Sequence, residues 1–102
     1  MTTSAPSSQT SFTSAVAGSA VTCTVALIAV SGTFSGTVKF KWTDNQGTTH
    51  IVQENGADLA FTAAGERVVD FGVPVSLYAE CTSYSSGTAV ATIQYSPYSY
   101  GH

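Results

Sequence analysis

The clearest pattern along the chain is alternation of apolar and polar residues with a period of two. Over 36–44, Val38, Phe40 and Trp42 alternate with Lys39, Lys41 and Thr43, which predicts a two-faced strand with its apolar set turned inward. Over 75–83, Val75, Leu77, Ala79 and Cys81 alternate with Ser76, Tyr78 and Glu80, and over 88–95 Ala89, Ala91, Ile93 and Tyr95 alternate with Val90, Thr92 and Gln94. The same rule over 20–30 turns Val21, Cys23, Val25 and Leu27 inward and Thr22, Thr24 and Ala26 outward. Shorter runs at 10–17, 49–54, 58–62 and 66–71 complete the set of predicted strands, and no helical period of useful length interrupts them. Turn chemistry falls between the strands, at Asp44-Asn45-Gln46-Gly47, Asn55-Gly56 and Ser85-Ser86-Gly87. Short strands recurring about every 8–12 residues predict an all-β fold, a single antiparallel β-sandwich of Ig-like or jelly-roll-like type with about 7–8 short strands. Its core should include Cys23, Phe40, Trp42, Leu77 and Cys81.

A chain of 102 residues is one domain. The punctuation divides it into a Ser/Thr-rich arm over 1–10, the sandwich over 11–95 and a Tyr-rich tail over 96–102. Charge changes the picture more than length does. Only 9% of residues are charged, against about 25% in an average domain, and 14 Ser and 15 Thr take up much of the polar surface. The charged residues all fall between Lys39 and Glu80, leaving 38 uncharged residues before them and 22 after. An exposed edge strand without charge invites pairing with another chain, so the uncharged ends are expected to form a contact surface and the charged middle to face solvent. Three basic residues and a net charge of −3 give no footprint for nucleic acid. The apolar run 20–30 is shorter than the roughly 20 residues of a membrane helix, so neither nucleic acid nor a membrane is an expected partner. The start of the chain lacks a basic segment followed by an apolar one, which predicts retention in the compartment of synthesis.

Candidate chemistry is sparse. The six carboxylates, Asp44, Glu54, Asp58, Glu66, Asp70 and Glu80, fall in turns or on presumed solvent faces, and His50 and His102 keep no metal-ligand spacing. Asp44, Asn45 and Gln46 offer loop oxygens of the kind Ca²⁺ uses, but an ordinary solvated turn accounts for them. No G-x-S-x-G elbow occurs. The chain therefore reads as a non-enzyme without cofactor or metal. Trp42 shares its phase with Val38 and Phe40, which favours core packing over a sugar-stacking platform, whereas Tyr78, Tyr84, Tyr98 and Tyr100 remain available for contact. The order Cys23, Trp42, Cys81 is similar to the immunoglobulin framework, although Ala79 stands where that framework has its corner tyrosine. Both a disulfide and two buried free thiols stay open on this reading.

Two further segments resemble small β-sandwich structural proteins of tailed bacteriophage virions. One is Ser31-Gly-Thr-Phe-Ser-Gly-Thr-Val38 with Asp44 and Gly47-Thr-Thr49 after it; the other is the hairpin-like Val75-Ser-Leu-Tyr-Ala-Glu-Cys-Thr-Ser-Tyr-Ser-Ser-Gly-Thr-Ala-Val90. His50 and Glu80 depart from that pattern, standing where an aromatic and a basic residue are common. The resemblance implies a head-decoration or cement protein, made in the host bacterial cytoplasm and located on the virion head surface. Its partners would be sister copies, as a small homo-oligomer such as a trimer, and the major capsid protein. The expected contact residues are Thr2, Pro6 and Phe12 toward the start and Tyr95, Tyr98 and Tyr100 toward the end. The alternative reading is a carbohydrate- or receptor-binding module of a tail, fibre or surface protein.

Overall fold

The computed structural model describes residues 7–96; Thr2, Pro6, Tyr98 and Tyr100 lie outside them. Nine strands follow one another: β1 (Ser7–Phe12), β2 (Val21–Ser31), β3 (Phe34–Thr43), β4 (Thr49–Ile51), β5 (Gln53–Glu54), β6 (Ala57–Asp58), β7 (Ala60–Phe61), β8 (Gly65–Gly87) and β9 (Ala89–Ser96). They pair in the order β1-β9-β2-β8-β3-β4, with β7 also along β3 and β5-β6 as a separate two-stranded hairpin. All pairings are antiparallel. The chain is thus all-β, as its alternation predicts.

The two predicted strands 66–71 and 75–83 are one long β8 that turns a corner. Its ladder with β2 passes from Val25↔Asp70 to Cys23↔Val75, so residues 71–74 loop out of β8 opposite Thr24 alone. Gly72 supplies the positive φ of 77° that this excursion needs, and its N–H donates to Asp70 Oδ1 at 2.9 Å. A bulge of this kind bends a strand and lets it leave one layer for the next. The first layer consists of β1, β9, the 25–31 part of β2 and the 65–70 part of β8. The second consists of the 75–87 part of β8, β3, and β4 and β7 along the far side of β3. Residues 16–18 extend the second layer, with Gly18 N–H donating to Ala79 O at 2.7 Å and Cys81 N–H to Val16 O at 2.9 Å.

The corner also inverts the side-chain phase of β2. Cys23 and Thr24 are both buried, and beyond them Ala26, Ile28 and Val30 face the core while Val25 and Leu27 do not. The expectation that Val25 and Leu27 point inward is therefore corrected: a period-two reading carried across an irregularity puts every later residue on the wrong face. The other alternations agree with the structure. Val38, Phe40, Leu77, Ala79, Cys81, Ala89, Ala91 and Ile93 are buried in one cluster with Phe12 and Phe61, and Val75 is buried as well.

Two connections close the end opposite the corner, carrying the chain from β2 to β3 and from β8 to β9. Gly32 and Gly87 sit there with φ of 95° and 85°, and Thr88 N–H donates to Thr33 O at 3.0 Å. A Cβ on Gly87 would collide with the Thr33 carbonyl, and one on Gly32 would lie 2.5 Å from Thr88 O. Tyr84 reinforces the closure by donating its hydroxyl to Gly87 O at 2.7 Å.

Candidate functional site

Two surfaces carry the functional question. The first is the exterior of the first layer. Pairing aligns Ser7, Gln94, Leu27 and Val68 in one row and Gln9, Thr92, Ala29 and Glu66 in the next. Across β1, β9 and β2 this face bears amide, hydroxyl and aliphatic groups with no ionisable side chain; Glu66 and Asp70 appear only on the β8 border. Val68, 72% exposed, is the most open large apolar side chain of the described residues. Among the described residues β1 has β9 as its only partner strand, so its outer edge offers backbone donors and acceptors, and no Lys or Pro within Ser7–Phe12 blunts it. Ser7 pairs with Gln94 and Val25 with Ser96. The chain therefore leaves the described region at both ends along one border of this layer.

The second surface surrounds the β3–β4 turn. Asp44 organises it: Oδ1 accepts from Gln46 N–H at 2.9 Å and Thr48 N–H at 3.0 Å, and Oδ2 lies 3.0 Å from His50 Nε2. A carboxylate only accepts, so His50 carries its proton on Nε2. The imidazole beside Asp44, with the Thr48 and Gln46 amides, holds its carboxyl below the ordinary value of 3.8. The turn sets the strand register, Thr43↔Thr49 and Trp42↔His50. That register stacks the His50 ring on Trp42, with centroids 4.3 Å apart and planes 28° from parallel. Phe71, delivered by the β8 excursion, approaches Trp42 at 5.3 Å. Trp42, Thr49, His50, Ile51, Gln53 and Asp58 line a cleft of about 470 Å³. At its rim Asp58 accepts from Gln53 Nε2 at 3.3 Å through Oδ1 and from Lys39 Nζ at 3.4 Å through Oδ2.

Cys23, Phe40, Leu77 and Cys81 are buried. Trp42 is only partly buried, packing on the core margin, because it occupies the last inward position of β3 next to the turn. Phe12 is corrected: it is fully buried in the core, since its register opposite Ala89 points it inward, and its side chain is not a contact residue. The arm boundary moves with it, because residues 7–10 are already paired with β9. Tyr95 is partly buried against the core. The immunoglobulin-like bridge does not form: Cys23 stands opposite Val75 and Cys81 opposite Val38, and both thiols are free. Burial pushes the Cys23 thiol up to about 11, leaving it unreactive at neutral pH.

The charged middle is largely self-neutralised. Lys39 pairs with Asp58, Lys41 with Glu80 at 2.6 Å and Arg67 with Glu54 at 2.8 Å. These pairs take every cation of the chain and leave Asp44, Glu66 and Asp70 to carry the net charge of −3. Among the described residues no three His, Cys, Asp or Glu side chains converge as a metal would require. In the Asp44 turn the carboxylate accepts from the Gln46 and Thr48 amides and lies against His50.

His50 as the partner of Trp42 escaped the sequence reading, although its signal was present. A hairpin closed by Asp44 to Gly47 places residues 42 and 50 opposite each other once its register is counted outward. Gln53 and Asp58 follow from the Asn55-Gly56 turn by the same counting. Comparisons with family models, curated proteins and solved structures return no match.

Proposed function

We propose that this chain is a non-enzymatic structural protein of a tailed-phage virion. In this reading it is a head-decoration or cement protein that sits on the outer head lattice as a small homo-oligomer and binds the major capsid protein. The observation that carries the reading is the exterior of the first layer, which is free of charge across β1, β9 and β2 and bounded by an unblunted edge strand. Interface centres are depleted of charge in this way, and aromatic residues are enriched there. Thr2, Pro6, Tyr98 and Tyr100 lie outside the described residues, next in sequence to β1 and β9, and Tyr95 is on β9 itself. Cementing needs little affinity per copy, because contacts repeated over a lattice multiply the hold on each subunit.

Co-sedimentation with capsids lacking the protein tests the reading. The pair Gln9→Lys and Thr92→Lys places charge on the first layer's exterior without touching the core. It should reduce capsid binding at least about tenfold, the effect of desolvating unpaired charges at an interface. Lys41→Gln, on the second layer's exterior, should bind as wild type. Equal binding by all three proteins would overturn the proposal.

A further inference from the structure

The cleft beside the β3–β4 turn has a chemistry that lattice docking does not use. It combines a stacked pair of rings, His50 lying against one face of Trp42, with one apolar side chain, Ile51, and a rim of hydrogen-bonding groups, Gln53 and Asp58. Its volume of about 470 Å³ falls in the roughly 300–1,000 Å³ range of small-molecule sites. The rim is held in place on both sides. Lys39 and Gln53 each donate one bond to Asp58, while a carboxylate has about four acceptor positions. Two of its lone pairs therefore remain for a ligand. The short β5–β6 hairpin, turned by Asn55 at φ 54° and Gly56 at φ 81°, fixes Gln53 opposite Asp58.

These features select among ligand classes. Lys39 already neutralises Asp58, so the rim attracts neither a cation strongly nor a phosphate, which the carboxylate would repel. What remains is a neutral molecule with one apolar face to lie on aromatic rings and adjacent hydroxyls to donate to a fixed carboxylate. The negative face of an aromatic ring attracts the weakly positive C–H groups of such a face. We propose that this cleft is a binding site for one pyranose ring of a neutral glycan. The C–H face packs on the His50 ring, which Trp42 backs, two neighbouring hydroxyls donate to Asp58, and the Gln53 amide bonds to one of them. The site is independent of the docking role, and either can fail alone.

Trp42 is the sole tryptophan of the chain, so intrinsic fluorescence reports this cleft directly. Titrating the full chain with a panel of neutral methyl glycosides and their short oligomers should give a saturable change for at least one, with Kd on the order of 1 mM, as for a shallow site with few hydrogen bonds. Asp58→Asn should weaken that response about tenfold or more, the loss expected for hydrogen bonds to a charged acceptor. Gln53→Ala, on an exposed position, should weaken it severalfold with the far-UV spectrum unchanged. A panel with no saturable response would overturn the proposal. So would undiminished binding by both variants, or an equal response to uncharged nucleosides, which stack without presenting a pyranose.

Discussion

The outer faces of the two layers are made by strands of similar composition, yet they differ in charge and in what holds them. The second layer's exterior carries Lys39, Lys41 and Glu80, with Asp58 reaching in from β6, and its cations are all matched to carboxylates. The first layer's exterior has Gln9, Thr92, Gln94 and aliphatic groups in the equivalent positions. A surface ion pair contributes about 0–1 kcal/mol, so the charges of the second layer add little stability. What they change is the environment that face tolerates. Paired charges remain favourable in water and resist burial against another chain, whereas amides and small aliphatic groups are stable in either setting. Both inner faces mix small and bulky groups, Phe12, Ile28, Ile93, Ala89 and Ala91 in the first layer and Phe40, Phe61, Leu77 and Ala79 in the second. The contrast therefore lies in the outer faces, uncharged across β1, β9 and β2 and carrying matched charges across β3 and β8.

The largest test of this contrast concerns Phe12. If the first layer were a loosely attached arm and hairpin, its truncation would matter little. Because Phe12 is the bulky residue that the small alanines of β9 pack beside, Phe12→Ala should destabilise the whole domain by about 3–5 kcal/mol. Urea denaturation followed by circular dichroism measures this. A loss below 1 kcal/mol would mean that β1 is separable from the core.

The next concerns the closure that ties the two layers together at the end away from the corner. Gly87→Ala introduces a Cβ that collides with Thr33 O on the neighbouring connection, at a backbone position of φ 85°. The expected cost is about 2–3 kcal/mol. The same change at Gly47, also at positive φ but with open space around it, should cost less, since it lacks the collision. Thermal unfolding of the two variants side by side separates the backbone contribution from the contact between layers.

How much of this was legible in the sequence depends on where regularity holds. Strand alternation identifies the buried faces of β3, β9 and the second half of β8 because each runs without irregularity through its buried part. It fails at Thr24, where one residue of β2 stands opposite residues 71–74 and the phase inverts. Propensity has no signal for that event, because Thr is a normal strand residue and the compensating excursion lies far along the chain. Whether Cys23 and Cys81 pair stayed open in the sequence for a related reason: both side chains point inward, but inward phase says nothing of position along the strand. The cleft was half legible. Turn residues and register were readable, but the stacking of His50 on Trp42 required the two to be counted across the turn.

Thr24 tests the corner itself. Its Oγ1 is buried without a partner, so the hydroxyl costs desolvation and returns no bond. Thr24→Val keeps the branched shape and should stabilise the chain by about 1–2 kcal/mol. The denaturant slope should stay unchanged, because the surface exposed on unfolding is the same. A destabilising result would indicate that the hydroxyl is bonded in solution and helps hold the strand crossing.

The smallest expected effect is the sharpest for the contrast in charge. Folding lowers the Asp44 pKa below 3.8, chiefly through His50 and then the Thr48 amide, so at acid pH the unfolded chain binds this proton more tightly than the folded one. Stability from the ionised carboxylate is therefore fully present above the unfolded value and is lost as pH falls through the lower folded value. The stability difference between wild type and Asp44→Asn should be flat from neutral pH down to about pH 5 and shrink below it, as measured by urea midpoints at each pH. A matching exchange on the first layer, Gln94→Ala, removes no ionisable group and should leave a difference that does not change with pH. If the Asp44→Asn difference stays constant into strong acid, the turn is held by the shape of its amide-accepting oxygen. The charged exterior of the second layer would then owe its arrangement to hydrogen-bond geometry, with ionisation incidental to it.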